Sequence, residues 1–450
     1  MLRRLRREEP AISDGTGASA RRAVLVDGVR TPFLRAGTGY LRLTSYDLAR
    51  TVLAGLVERT TLDTASVSKV VMGAVIQNIR TSNVARDSAL AAGFPNSVPA
   101  HTVTMACISS NQAITSGVES ILAGSADAVV AGGVEVMSDT PPQFDKKVRE
   151  RLFEARGYRS PLEFRKVLQG LSPSDLLPGA PAISEYSTEE LMGESADRLA
   201  SAFGVSREEQ DEYALRSHQL AAKATQNGRL EKEIMSTNTP PDFELINADN
   251  TFREDSSMEK LGKLPPAFVK PFGTVTAGNS SPLTDGASAT LIMGESEALE
   301  RGYAPRAVIR DYLYVAQDPS EELLLGPAYA TPRLLERNGL SLEDIDVIEI
   351  HEAFAGQVLA VLRALESGEF ARQKLGRDKR VGEVDMDRVN SWGGSVSLGH
   401  PFGATGSRLL NTAAHRLEEE EGRLALVTAC AAGGLGHAIL IERYDGTGEG

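Results

Sequence analysis

Only two cysteines occur in the 450 residues, Cys107 and Cys430, more than three hundred positions apart. So sparse a pair builds neither a disulfide framework nor a C-x-x-C metal site, which leaves each as a small buried hydrophobe or a reactive thiol. Long hydrophobic runs are missing too. No stretch reaches the roughly 18 consecutive apolar residues of a membrane span. Positive charge is in short supply, with a formal net charge of −13. That excludes a general nucleic-acid partner, because phosphate binding needs a strongly basic surface to release counterions. The start, MLRRLRREEPAISDGTGASARR, has arginines but no apolar core, and Glu8, Glu9 and Asp14 spoil an organellar presequence. Residues 1–21 therefore read as a flexible tail, and the protein as soluble and, by elimination, cytoplasmic.

What is present fits a folded chain with real cores, since 41% of residues are hydrophobic. The 42 glycines are not periodic and read as turns and close backbone approaches. Short β-branched runs alternate with helical stretches: Val24 to Val26, Val70 to Val75, Ala128 to Ala131, Thr290 to Met293, Ala307 to Ile309, Val347 to Ile350, Leu424 to Thr428 and Ala438 to Ile441. This alternation predicts an α/β fold. The runs fall into two groups around residue 300, and each group holds a Gly-rich strand-to-helix passage, which suggests an internal duplication. The first passage runs from VTMA through Cys107 into SSNQAITSGVESILAG, with Ile114, Val118, Ile121 and Leu122 directed toward a core. The second runs from GGSVSLGHPFGATG into a helix over about Ser407 to Glu420.

Residues 141–269 break the pattern and predict a mostly helical insertion. Its capping boxes are Ser187-x-x-Glu190 and Ser206-x-x-Glu209, the first followed by Met192, Ala196, Leu199 and Phe203 at helical spacing. Within 141–172, Lys146, Lys147, Arg149, Arg151, Arg165 and Lys166 interleave with Phe144, Val148, Leu152, Phe153, Phe164 and Leu168. Such a stretch suits peripheral contact with an anionic membrane or a partner, or else a solvated helix covering the core.

Four residues sit where chemistry is expected. A helix N-terminus stabilises a thiolate, and Cys107 precedes Ser109, Ser110 and Asn111, all suited to a helix start. His400 lies in GHPFGATG, where proline fixes the chain and glycines allow close approach; without a following G-K-S/T this is no P-loop. Cys430 ends an apolar strand before Ala431-Ala432-Gly433-Gly434, a run suited to presenting N–H groups to an oxyanion. His351 follows the strand Val347 to Ile350, and strand carboxyl ends are where α/β sheets bind ligands.

Together MACISS at Cys107, HEAFAGQ at His351, NSWGGSVSLGHPFGATG at His400, CAAGG at Cys430 and GTVTAGNSSPLTDG over Gly273 to Gly286 resemble the thiolase superfamily across about residues 22–445. Most thiolases carry Asn where this chain has His351 and glycine where it has Ala432. The H-E-A-F and C-A-A-G-G forms resemble the β-subunit branch of the trifunctional fatty-acid oxidation complexes. The resemblance implies a five-layer αβαβα fold of two α/β halves, 22–140 with 270–303 and 304–446, with 141–269 as a loop domain covering CoA and substrate. It also implies cleavage of 3-ketoacyl-CoA by coenzyme A, a co-substrate, with no permanently bound cofactor and no metal, nicotinamide or flavin.

In that reaction Cys107 is the nucleophile, and His400 the base that lowers its pKa and a donor to the thioester oxygen. Cys430 is the acid and base, His351 an oxyanion or water-positioning group, and the N–H groups of Cys107 and Ala432 the second oxyanion hole. Ser281, Ser257 and Arg253 fall at positions used for CoA. At least a homodimer or homotetramer is implied, with an α subunit bearing hydratase and dehydrogenase activities as a further partner. The alternatives are a biosynthetic acetoacetyl-CoA thiolase, with the same reversible chemistry, and a non-catalytic lipid carrier or scaffold subunit on this fold. A decarboxylating condensing enzyme would lack Cys430.

Overall fold

The computed structural model describes residues 21–446 apart from 161, 162, 164, 178 and 180–183. The tail expected at 1–21 thus lies outside the described residues except for Arg21, which pairs with Asp127 at 3.1 Å. Phe164 lies outside them as well.

Every β-branched run named above forms a strand. In chain order the strands are β1 (Ala23–Arg30), β2 (Leu34–Arg35), β3 (Lys69–Gly73), β4 (Ala100–Val103), β5 (Ala128–Glu135), β6 (Thr237–Thr239), β7 (Glu244–Ile246), β8 (Thr284–Gly294), β9 (Ala307–Ala316), β10 (Val347–Ile350), β11 (Leu424–Ala431) and β12 (Leu435–Arg443). Ten of them join in one mixed sheet of order β10-β11-β12-β9-β1-β8-β5-β3-β4, with β2 beside β8; β6 and β7 pair separately. The duplication is explicit in this order. β1 pairs antiparallel with β8, β8 antiparallel with β5, and β5 parallel with β3. β9, β12, β11 and β10 repeat that sequence of pairings. Within the sheet the two halves are paired through β1 and β9 at Ala23–Ile309, Val24–Val308 and Leu25–Ala307.

Both faces of each half are buried, so alternate residues of one strand enter different cores. Val24 and Val26 pack under the outer helices Ser45–Thr60 and Val84–Ala91. Ala23 and Leu25 face inward with Val129, Ala425 and Ile439 onto two central helices, Ser109–Leu122 and Thr405–Glu419. Helices Gly326–Arg337 and Ala355–Glu366 cover the far side of the second half. The result is the five-layer αβαβα arrangement. Ile114, Val118 and Ile121 anchor the first central helix, each worth roughly 1.5–3 kcal/mol of burial. Leu122, expected beside them, is instead 49% exposed, because it lies one step of about 100° beyond Ile121 and leaves the buried face.

Residues 141–269 carry helices Lys146–Glu154, Met192–Ala202, Arg207–Gln226 and Met258–Gly262, plus the β6–β7 hairpin. The Ser206 capping box forms as expected. The Ser187 box does not: its hydroxyl donates to Glu185, and the next helix starts at Met192 with Glu194 reaching back to the Leu191 N–H. The insertion is fastened by buried charge. Arg30 on β1 donates to Asp249 through both terminal nitrogens, at 2.7 and 2.9 Å, and to Glu233 at 2.6 Å. Among the described residues no helix is long and apolar enough to cross a membrane.

The loop bearing His400 lies directly on the first half. A Cβ added to Gly133 would come 1.8 Å from the Gly403 carbonyl oxygen and 3.0 Å from that of Gly73. Backbone cannot yield as a side-chain tip can. Gly133→Ala is therefore expected to lose at least about 3 kcal/mol of unfolding free energy, at the top of the overpacking range. Gly262→Ala, with open space around its Cβ, should change little. Denaturant midpoints of the two variants measure this, and equal midpoints would contradict the close approach.

Candidate active site

Cys107 is delivered by a tight elbow between β4 and the helix Ser109–Leu122. Ala106 sits in the left-handed region at φ 47°, unusual for a residue with a Cβ. Ser109 holds the bend: its Oγ accepts from the Met105 N–H at 2.8 Å and donates to the Ala106 carbonyl at 2.7 Å. The second central helix begins just after His400, and the two helix starts touch. The Ser407 N–H donates to Ser110 Oγ at 3.0 Å, and Gly406 lies against Asn111. Two remote turns are brought to one point in this way.

Cys107 Sγ and one ring nitrogen from each of His351 and His400 lie within 4.8 Å of one another. The two rings are 4.1 Å apart, centroid to centroid. Cys430, on β11, lines the same cavity of about 380 Å³ together with Ala432 and Ser281. The Ala432 and Cys107 N–H groups point at the Cys107 sulfur. The walls are apolar, with Ile76, Met192, Phe268, Leu324, Phe354 and Phe402 prominent. A wider surface hollow of about 940 Å³ beside Glu194 and Phe272 has none of these reactive groups. Of the expected CoA contacts, Ser281 reaches the cavity. Ser257 does not line it and instead caps a short helix, accepting from the Lys260 N–H; Arg253 is exposed and also absent from the wall.

Burial sets the protonation states. It pushes the Cys107 thiol up to about 12, against the pull of the Ala432 and Cys107 N–H groups. Burial and then Cys107 itself push Cys430 well up. His351 is held down at about 3 by burial and then by Arg408, and His400 well below its ordinary value by burial, His351 and Arg408. The influences that act on the Cys107 thiol are burial first, then the Ala432 and Cys107 N–H groups and Glu135. The resting site holds a neutral thiol and two neutral imidazoles, because desolvation outweighs the helix N-terminus.

The hydrogen bonds then assign the tautomers. The Thr405 hydroxyl donates to the Pro401 carbonyl at 3.1 Å, so at 2.6 Å it accepts from Nδ1–H of His400, leaving Nε2 as a free base. Ser395 Oγ accepts from Arg408 Nη2 at 2.9 Å, and its own proton points to His351 Nδ1 at 2.9 Å. His351 thus presents Nε2–H. Among the described residues neither Nε2 has a hydrogen-bond partner. One ring is ready to take a proton and the other to give a hydrogen bond.

Sequence reasoning missed the residues that hold this arrangement. Ser395 and Thr405 orient the rings. Arg408 and Arg416 bracket the buried Glu349, at 3.6 and 2.8 Å. Glu352 receives Tyr213, Ser217, the Asn390 amide and the Val396 N–H. Glu135 ties Val75, Ile76 and Gly403 together by their N–H groups. A Ser or Thr five residues from a histidine was the only visible signal, and an ambiguous one.

Comparison with known proteins agrees with this geometry. The thiolase N-terminal domain matches residues 23–296 and the thiolase C-terminal domain residues 303–443. The chain belongs to the thiolase family and is an acyltransferase. It is 54% identical over 424 residues to the mitochondrial trifunctional enzyme subunit beta of Bos taurus, covering 94% of this chain and 89% of that one. It is 51% identical to a probable 3-ketoacyl-CoA thiolase of Caenorhabditis elegans, covering 94% of each. The crystal structure of human mitochondrial 3-ketoacyl-CoA thiolase in complex with CoA superposes with a TM-score of 0.82 at 31% identity, over 94% of this chain and 98% of that one.

Two predictions follow from the buried polar groups. Ser395→Ala should lower kcat about 10²-fold, the scale of one lost oxyanion donor, with KM and melting temperature little changed, while Ser395→Thr keeps most activity. Nitrogen NMR of the His351 ring should show its tautomer mixture shift; an unchanged kcat would remove Ser395 from this role. The second concerns acid. His218, His351, His400, His415 and His437 all have folded pKa values below the ordinary 6.5, so the unfolded chain binds more protons as pH drops and stability is lost. Glu135 and Glu349, raised to about 7 chiefly by burial, oppose this between pH 7 and 4.5. The buried histidines outweigh these carboxyls, so stability falls as pH drops from 6 to 5, on the order of 1 kcal/mol or more per pH unit. Denaturant unfolding at pH 6 and pH 5 should show that loss, and equal stability would contradict it.

Proposed function

We propose that this chain carries out CoA-dependent thiolytic cleavage of 3-ketoacyl-CoA to acetyl-CoA and a shortened acyl-CoA in fatty-acid β-oxidation. The observation that carries the reading is the convergence of Cys107, Cys430, His400 and two aimed N–H groups on one apolar cavity, with the His351 ring directly behind His400 and within 4.8 Å of Cys107. Cys107 Sγ attacks the 3-keto carbon as its proton passes to His400 Nε2. The Cys107 and Ala432 N–H groups receive the oxyanion, each worth about 10²- to 10³-fold. The C2–C3 bond breaks, leaving an acyl thioester on Cys107 and the enolate of acetyl-CoA. The protonated His400 and the Nε2–H of His351 donate to the enolate oxygen, and Cys430 gives its proton to C2. Free CoA then loses its thiol proton to Cys430 and attacks the acyl group, and the departing Cys107 sulfur takes back the proton held by His400.

Ser281 at the cavity wall is the CoA contact best supported by placement; Ser257 and Arg253 would meet CoA outside the cavity. The likeness to trifunctional enzyme beta subunits supports an α subunit with hydratase and dehydrogenase activities as partner. Assembly as at least a dimer and residence in the cytoplasm belong to the same proposal, although the bovine relative is mitochondrial by name. Peripheral membrane contact through 141–172 is supported by exposed apolar side chains among its cations: Leu152 is 49%, Phe153 68% and Leu168 59% exposed.

Thiolysis assayed across C4 to C16 3-ketoacyl-CoAs tests the reading. Activity should extend well beyond C4, and activity confined to C4 would favour the biosynthetic alternative. Cys430→Ser should still take up an acyl group but turn over at least about 10²-fold more slowly. Undiminished turnover would refute its role as the acid, and no acyl uptake by the unaltered protein would favour a carrier or scaffold.

A further inference from the structure

Acyl transfer asks for a thiol and an imidazole in contact, but a second histidine, His351, brings one more nitrogen up to the Cys107–His400 pair. Cys107 Sγ and the two histidine nitrogens lie within 4.8 Å of one another. A point equidistant from three atoms that far apart is about 2.8 Å from each, against about 2.3 Å for a zinc–sulfur and 2.0–2.1 Å for a zinc–nitrogen bond. Side-chain movements of well under 1 Å would close the gap. Among the described residues both Nε2 atoms lack a hydrogen-bond partner, and both histidines are at most 3% exposed. Their Nδ1 atoms are held by Ser395 and Thr405, as oriented metal-ligand histidines usually are.

We propose that Cys107, His351 and His400 form a three-ligand site for a soft divalent cation, zinc above all, which closes the active site while bound. A fourth position would be left to water or to a thiol, since Cys107 and His400 both line the cavity. Binding breaks the Cys107 S–H bond, releases that proton to solvent and places the sulfur electron pair on the ion, with no redox change. Ser395 can then accept from Nδ1–H of His351, because its oxygen has two lone pairs. Among the described residues no carboxylate lines the cavity, and the Cys107 and Ala432 N–H groups and nearby Arg408 oppose a cation that lacks a thiolate bond. Magnesium and calcium, which need oxygen ligands, are thereby excluded.

The test uses the full chain freed of metal with a chelator, with cobalt(II) as optical probe and zinc as competitor. One equivalent of cobalt per chain should give a thiolate-to-metal charge-transfer band that zinc abolishes and excess magnesium does not. Cys107→Ala should remove the band, while His351→Asn and Ser395→Ala should weaken binding by about tenfold or more. In the unaltered protein, zinc should slow iodoacetamide modification of Cys107 by at least about tenfold and suppress turnover until chelator is added. That measurement stands even if a variant fails to fold. A band that survives Cys107→Ala, or zinc that leaves Cys107 alkylation unchanged, would overturn the site. Neither readout of binding needs substrate, so failure here leaves the thiolysis reading untouched.

Discussion

The contact between two helix starts governs the chemistry of this protein. Ser110 and Ser407 are joined by a hydrogen bond, Gly406 fits against Asn111, and Gly403 lies on Gly133 and Gly73. Each helix follows a turn that carries a reactive group, Cys107 in one and His400 in the other. Duplicated topology makes the meeting repeatable: each half sends one helix inward, and the five layers leave both no space except against each other. Small residues at the crossing decide how near they come. The catalytic distance is thus set by packing of backbone on backbone, which is stiffer than any side-chain contact.

Around that crossing, desolvation fixes the electrostatics. A largely desolvated thiol and two buried imidazoles are cheapest when neutral, and the surroundings favour those states. Specificity of role comes from second partners. Thr405 turns one ring into a base and Ser395 turns the other into a donor, although the residues are chemically identical. Separation of charge then occurs only when substrate arrives and the sulfur proton moves, in a site whose N–H groups already face the developing anion.

Much of this was legible in the residues. β-branched runs marked the central strands because both their faces are buried, and the duplication could be seen in the paired Gly-rich passages. Cys107, His351, His400 and Cys430 were found because reactive side chains beside glycine and proline have few structural reasons to be there. β4 was placed late: VTMA, Val103 to Ala106, read as the strand, whereas Ala100–Val103 forms it, a part-exposed edge strand whose histidine and threonine lack the apolar signature. Ser187 gave a false helix start because Glu185, two residues back, competes for its hydroxyl. The bend at Ala106 left no trace, since alanine does not advertise a positive φ as glycine would. Ser395, Thr405, Arg408 and Asn390 were invisible for a general reason: pairing of buried polar groups is decided in three dimensions and has no periodicity.

The most direct measurement of the account is a single turnover without free coenzyme A. Protein mixed with a 3-ketoacyl-CoA and quenched should release close to one acetyl-CoA per chain and carry the shortened acyl group, by peptide mass, on Cys107. Acetyl-CoA released with no adduct, or an adduct on any other residue, would contradict it.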